Sequence, residues 1–192
     1  MIRETEITIE AYNKTAQQYA QNVASLQKTT YINHFVSLLS ANASVLDIAC
    51  GSGRDAKIFS EKGFSVTGVD LSEEMLQIAV TNCPLVKFRL MDMRQLDFDS
   101  QYFDGVWACA ALLHLPKKEI PAVISEVSRV LRMGGIFYIG VKEGDGERFV
   151  KDNRYEGDIT KFYSYFKSGE LEEILQEKGF DILESSGITR KE

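Results

Sequence analysis

Gly51-Ser52-Gly53-Arg54-Asp55-Ala56 follows the pattern G-x-G-x-x-A, and the carboxylate of Asp70 comes nineteen positions after Gly51. Glycines at 51 and 53 permit a tight turn and a close backbone approach that a side chain would block. A carboxylate at that distance can accept hydrogen bonds from both hydroxyls of a ribose. The chemistry implied is the binding of a nucleoside-type cofactor. Nicotinamide, flavin and methionine-derived nucleosides all use versions of such a loop, and Asp47 separates them. A diphosphate is best held by amides and positive charge, which a carboxylate four residues before the first glycine opposes. A cofactor carrying an ammonium and a sulfonium is favoured by the same charge.

His114 is one of only two histidines. Its ordinary titration near neutrality makes it the candidate general base; the competing reading has it packing against the helix that follows Pro116. His34 falls on a leading helix as a surface or core residue. Cys50, Cys83 and Cys109 include no Cys-x-x-Cys pair, so they read as reduced packing thiols in a cytoplasmic protein. No cluster of carboxylates or histidines stands apart from the aspartates of the loop region, and no metal is expected. Residues 142–166 are longer and more polar than a plain connector and carry Arg148, Arg154, Tyr155, Phe162, Tyr163 and Tyr165. Aromatic walls with cationic heads suit a lid over a small polar or anionic substrate, although the same side chains can equally pack the lid down.

The elements that must position these residues follow from hydrophobic periodicity. Tyr12, Ala16, Tyr19, Val23 and Leu26 recur at spacings of three and four, as do Ile32, Phe35, Val36 and Leu39, so two helices lead the chain. Val45 to Ala49 is a short apolar run ending in the glycine turn, which reads as strand, loop and helix. Further strands are expected over 65–69, 86–90, 105–110 and 136–141, with a helix starting near Ser72 and another over 118–131 stopped by Gly134-Gly135. Strands alternating with helical crossovers run parallel. The fold class is therefore α/β, a Rossmann-like doubly wound, mostly parallel sheet with helices on both faces. In such sheets ligands sit beyond the carboxyl ends of the strands at the switch in strand order, the rim that holds Gly51, Asp70, Asp92 and the residues after Ala108.

A chain of 192 residues with 44% hydrophobic composition supports one domain with a real core. It divides into a helical cap (1–43), a cofactor-binding core (44–141), a substrate lid (142–166) and a last helix and strand (167–192). The net charge of −6 disfavours nucleic acid as a partner. The longest apolar block, 106–113, is far shorter than the ~20 residues a membrane span needs, and the first six residues lack the apolar run of a signal peptide. A monomer or homodimer is expected.

Val45-Leu46-Asp47-Ile48-Ala49-Cys50-Gly51-Ser52-Gly53, Gly68-Val69-Asp70-Leu71-Ser72, Met91-Asp92, Phe103-Asp104-Gly105-Val106 and Leu112-Leu113-His114 resemble, in order, the motifs of class I S-adenosylmethionine-dependent methyltransferases. The resemblance runs from about Tyr12 to Phe180 and implies methyl transfer from S-adenosylmethionine to a small-molecule acceptor, with S-adenosylhomocysteine as product. It implies that Asp47, Ala49, Cys50, Gly51, Ser52 and Gly53 surround the methionine end, that Asp70 binds ribose, and that Asp92 meets the adenine amino group. Leu71 and Met91, with Met75 and Met93 beside them, pack around the purine, and Ala108 and Cys109 line the methyl side. Tyr12 and Tyr19 serve as core or as a closing lid. Asp104, at the start of a strand rather than its end, is structural. Substrate contacts are expected from Arg148, Arg154, Tyr155 and Tyr163. A catalytically idle cofactor-binding subunit and an NAD-dependent oxidoreductase are the alternatives.

One departure stands out. Relatives end in an antiparallel pair, strands six and seven, with seven lying between five and six; here 180–185 supplies strand six and too little follows for strand seven. Truncation, an inward shift of strand six onto strand five, and a strand from another chain are the three accounts.

Overall fold

The computed structural model describes residues 2–24 and 29–187. Leu26 of the leading stripe, and residues 188–192 after the expected last strand, lie outside them. Helices α1 (Arg3–Ala24) and α2 (Thr29–Ser37) come first, followed by β1 (Ser44–Ile48), α3 (Arg54–Glu61), β2 (Ser65–Asp70), α4 (Glu73–Asn82) and β3 (Lys87–Leu90). Then come β4 (Phe103–Cys109), α5 (Ile120–Val130), β5 (Leu131–Gly140), β6 (Glu147–Lys151), β7 (Thr160–Ser164) and α6 (Glu170–Glu177). Strands β1 to β5 form one parallel sheet in the order β3-β2-β1-β4-β5. The order switches between β1 and β4, and their carboxyl ends open a crevice there.

Successive side chains of a strand point to opposite faces, so neighbours in sequence feed different cores. Leu46 and Val106 face α5, whose Ile120, Val123, Ile124, Val127 and Val130 are fully buried at a period of three and four. Val45 and Trp107 face the other side, packing with Phe35 of α2 and Phe59 of α3. The Trp107 ring meets both phenylalanines edge-on and stacks on Tyr138 at 3.8 Å. Each such aliphatic or aromatic side chain contributes roughly 1.5–3 kcal/mol on burial. By contrast α1 buries only small side chains, Thr5, Thr8, Ala11, Thr15, Ala16 and Val23.

The helix expected over 118–131 is shorter, because Leu131 takes extended angles and pairs with Phe103 at the start of β5. Gly134-Gly135 therefore does not stop that helix. The pair lies inside β5, where the register against β4 shifts between Phe103 and Gly105, as at a β-bulge. Residues 142–166 are not an open loop but contain the antiparallel hairpin β6–β7, registered from Glu147↔Ser164 to Lys151↔Thr160. Strand six over 180–185 does not form, since residues 181–187 carry no strand. Phe180 packs on Phe137, Glu184 lies 3.1 Å from His34, and the Ser185 hydroxyl donates to Glu172. These contacts take the segment past β5 without a ladder. Among the described residues β4 is the only strand paired with β5, so the inward shift is excluded. No helix among them is long and apolar enough to cross a membrane.

Candidate active site

The glycine turn begins in left-handed backbone. Gly51 and Gly53 have φ of 54° and 78°, and Ala49, which has a Cβ, shares this region at 54°. Ala110, just beyond β4, does so at 61°. A left-handed alanine costs roughly 1–2 kcal/mol, and two of them stand at the ends of the adjacent strands β1 and β4. Gly53 has a second constraint, for a Cβ there would lie 3.1 Å from that of Ala79. Asp70, at the end of β2, locks the turn: its Oδ2 accepts the Gly51 amide and its Oδ1 the Ser72 amide, each at 2.8 Å. Burial pushes the Asp70 carboxyl up from its ordinary range, and these amide bonds oppose the rise.

A cavity opens over this rim. Ala49, Gly51, Asp70, Leu71, Met75, Met91, Asp92 and Met93 line it on the β1–β3 side, Cys109 and His114 on the β4 side, and Tyr12 and Tyr19 from α1. All twelve are residues to which the family resemblance points. Asp47, Cys50, Ser52, Gly53 and Ala108 do not line it; Ala108 is fully buried in the α5-side core, because the chain presents Ala110 and Ala111 to the cavity instead. For Asp92, burial raises the carboxyl but is outweighed by Arg94, whose Nε donates at 2.9 Å, so its titration is lowered. The Cys50 thiol is pushed up by burial and is no thiolate. Asp104 accepts the Ser44 amide at 2.7 Å and pairs with Arg132, a structural role. Among the described residues no three His, Cys, Asp or Glu side chains gather as a metal site.

Asp47 sits one layer below the turn, 3% exposed. Its Oδ2 has no hydrogen-bond partner, while the Ala56 amide bonds the carboxylate. Burial first, then the like charge of Asp55, hold its titration well above the ordinary range, with Arg54 opposing. A buried acceptor without a donor is costly, and a cationic donor from a ligand is what would relieve it. A sulfonium amino acid meets that requirement and a diphosphate does not.

Residues 45–135 match the family model described as a methyltransferase domain. Over 128 residues the chain is 35% identical to the malonyl-[acyl-carrier protein] O-methyltransferase of Salmonella typhimurium, which covers 66% of this chain and 49% of that protein. The 1,6-didemethyltoxoflavin-N1-methyltransferase of Burkholderia thailandensis, solved with 1,6-didemethyltoxoflavin and S-adenosylhomocysteine, superposes with a TM-score of 0.76 at 25% identity, covering 97% of this chain and 83% of that one. The chain belongs to the class I S-adenosylmethionine-dependent methyltransferases. The [4+2]-cyclase SpnF also shares the fold, with a TM-score of 0.63 at 25% identity over 81% of this chain and 57% of that one. The chain spans about half the length of the curated relatives it matches, 44% and 49% for two of them.

Within this methyltransferase fold the wall opposite Asp70 is built from distant parts. Tyr12 Oη lies 2.8 Å from His114 Nε2, and His114 Nδ1 lies 2.8 Å from the Phe162 carbonyl. Burial lowers the His114 titration to about 4, so the ring is neutral near pH 7. Both ring nitrogens are engaged. The four side chains expected to touch substrate do not line the cavity. Arg148 stacks on Tyr165 at 3.9 Å, Arg154 is held by Asp152, and Tyr155 packs with Ala11 and Tyr19. Tyr163 meets the His114 ring at 4.8 Å and carries the Lys142 ammonium over its face at 4.0 Å. These residues fasten the hairpin down.

Thr5, Thr8 and Ile9 line the cavity without having been singled out, as do Ala110, Ala111 and Leu115. Thr5 and Thr8 continue the Tyr12-Ala16-Tyr19 stripe one turn back at the same spacing, which was the available signal. Lys161, fully buried with its ammonium 4.1 Å over the Tyr12 ring, is the other omission. Its only signal is a lone cation opening the aromatic run 162–166.

Proposed function

We propose that this chain binds S-adenosylmethionine over the β1–β2–β3 rim and transfers its methyl group to a small-molecule acceptor seated between α1 and the turn at 112–115. One observation carries this reading: a single cavity joins Gly51, Asp70 and Asp92, on three strand ends, to a wall of Tyr12 and His114. Asp47 and the turn at 51–53 would hold the amino-acid end, Asp70 the ribose and Asp92 the adenine amino group, with Leu71, Met75, Met91 and Met93 around the purine. When bound, the cofactor supplies an electrophilic methyl group with its leaving group built in. The chain's own task is alignment, and good alignment is worth ~7–11 kcal/mol of the barrier.

Calorimetric titration of the full chain with S-adenosylmethionine, S-adenosylhomocysteine and NAD tests the binding half. Binding of the first two without NAD is expected; tight NAD binding with no response to the others overturns the reading. Labelled-methyl transfer across pooled metabolites tests the chemistry. Cofactor binding without turnover on any pool would instead favour a module that holds the cofactor idle.

A further inference from the structure

Neutral histidine has one N–H, and a carbonyl can only accept, so the 2.8 Å contact from Nδ1 to the Phe162 carbonyl puts the proton on Nδ1. Nε2 is then a bare lone pair, and the Tyr12 hydroxyl, 2.8 Å away, donates to it. The Phe162 carbonyl is itself fixed, because the Phe162 amide donates to Thr8 Oγ1 at 3.0 Å and ties β7 to α1. Tyr12 and His114 both line the cavity, with their rings edge to face at 5.4 Å.

We infer that Tyr12 and His114 work as one proton relay, the Tyr12 hydroxyl facing the acceptor and His114 Nε2 taking the proton, so that the acceptor is an uncharged molecule methylated at a hydroxyl group. The inference rests on the methyl-transfer reading above. In the transfer the acceptor O–H bond breaks, its proton passes to Tyr12 Oη, and Tyr12's own proton passes to His114 Nε2. The acceptor oxygen uses the freed pair to bond the methyl carbon, whose bond to sulfur breaks with its electrons left on sulfur. His114 ends as imidazolium, still donating through Nδ1, and returns the proton to water as products leave.

The surroundings bear on both partners of the relay. The groups facing the pair are Tyr19 from α1, Lys161 and Tyr163 from β7, and Lys142 after β5. Burial, then Tyr19, Tyr163 and Asp70, push the Tyr12 phenol well above its ordinary range, so no free phenolate forms and the two protons move together, with the Lys161 ammonium resting on the ring face. Burial, with the Lys161 and Lys142 charges, lowers the His114 titration, so the ring rests neutral with its Nε2 lone pair on the Tyr12 hydroxyl and sheds a transferred proton readily afterwards. The acceptor end of the cavity also offers hydroxyls rather than charge: Asp70 and Asp92, its ionisable carboxylates, are on the opposite strand ends, while buried Thr5 presents an Oγ1 with no partner. An uncharged hydroxyl compound fits that lining, and the acidic acceptor suggested by Arg148 and Arg154 does not.

Nitrogen NMR of the full chain tests the relay without needing turnover. The expected result is an Nδ1–H tautomer for His114 between pH 5 and 8, with the Nε2 resonance moving toward that of a free lone pair in Tyr12→Phe; His34→Gln assigns the second histidine. An Nε2–H tautomer, or an Nε2 signal indifferent to Tyr12→Phe, overturns it. Turnover is read in His114→Asn, which keeps a donor for Phe162 but no base, against phenol and the more acidic 4-nitrophenol. A loss of about 100-fold on phenol, and at least about tenfold less on 4-nitrophenol, is expected from a proton-accepting role; equal losses on both overturn it. S-adenosylhomocysteine affinity measured on the same variants separates this outcome from failure of the cofactor reading, which abolishes binding in the unsubstituted chain as well.

Discussion

Asp47 and Asp152 are both buried carboxylates, and the fold treats them in opposite ways. Asp152 in the hairpin is held by Arg154, with Nε and Nη2 each at 2.7 Å, and by the buried Lys161 at 3.1 Å. The Arg154 hydrogen bonds, opposed by burial and then helped by Lys161, hold its carboxyl far below the ordinary range. Lys161 itself moves down, because its burial outweighs the attraction of Asp152. Asp47 under the glycine turn has one oxygen without a partner, and burial drives its titration up. The hairpin is thus a finished structural unit, whereas the turn is electrostatically unfinished until something cationic arrives. Their pH responses have opposite signs. Asp152, lowered on folding, contributes stability above its ordinary range that is lost as pH falls through its folded value. Asp47, raised on folding, favours the fold most below about pH 4 and loses that contribution as pH rises through its elevated value.

Breaking the finished side has the largest expected effect. Asp152→Asn leaves Lys161 buried without a counter-charge and costs ~3 kcal/mol of stability by urea unfolding; a loss under ~0.5 kcal/mol would show that the hairpin does not depend on the triad. Asp70→Asn comes next. An amide cannot offer two acceptor oxygens to Gly51 and Ser72, and S-adenosylhomocysteine affinity by calorimetry should fall on the order of 30–100-fold; unchanged affinity would remove Asp70 from the site.

Asp47→Asn sharpens the contrast, because the two readouts move in opposite directions. The empty chain gains thermal stability near neutral pH, while cofactor affinity drops ~10-fold, the worth of one charge-assisted bond. In the unsubstituted chain affinity rises with pH as Asp47 ionises, and the substitution should flatten that slope; a slope that survives locates the titrating group elsewhere. Arg148→Ala has the smallest effect, with acceptor KM within about twofold, since this exposed stack on Tyr165 lies outside the cavity. A larger change would restore Arg148 to the acceptor site.

The same contrast explains what could be read in the linear chain. Gly51, Asp70 and Asp92 stand at strand ends that local signals mark, so the five-stranded sheet and these rim positions were legible from spacing, whereas Leu71, Met75, Met91 and Met93 came with the family resemblance. The acceptor wall depends on contacts between residues far apart, with 102 positions between Tyr12 and His114 and 154 between Thr8 and Phe162. No local period encodes such pairs. Arg148 and Arg154 misled because their charge drew attention, yet each already has a partner within the hairpin. The apolar residues of 180–185 suggested a strand, but side-chain anchors on α2 and α6 carry that segment elsewhere.

The threonine- and alanine-rich buried face of α1 leaves this helix held largely by polar ties, among them Tyr12 to His114, Thr8 to the Phe162 amide and the Asn13 side chain to Ser72 at 2.6 Å. Yet α1 roofs the cavity, and any guest there must touch both it and the sheet. Occupancy therefore acts as glue for α1, whose amides should slow in exchange on loading more than those of the sheet.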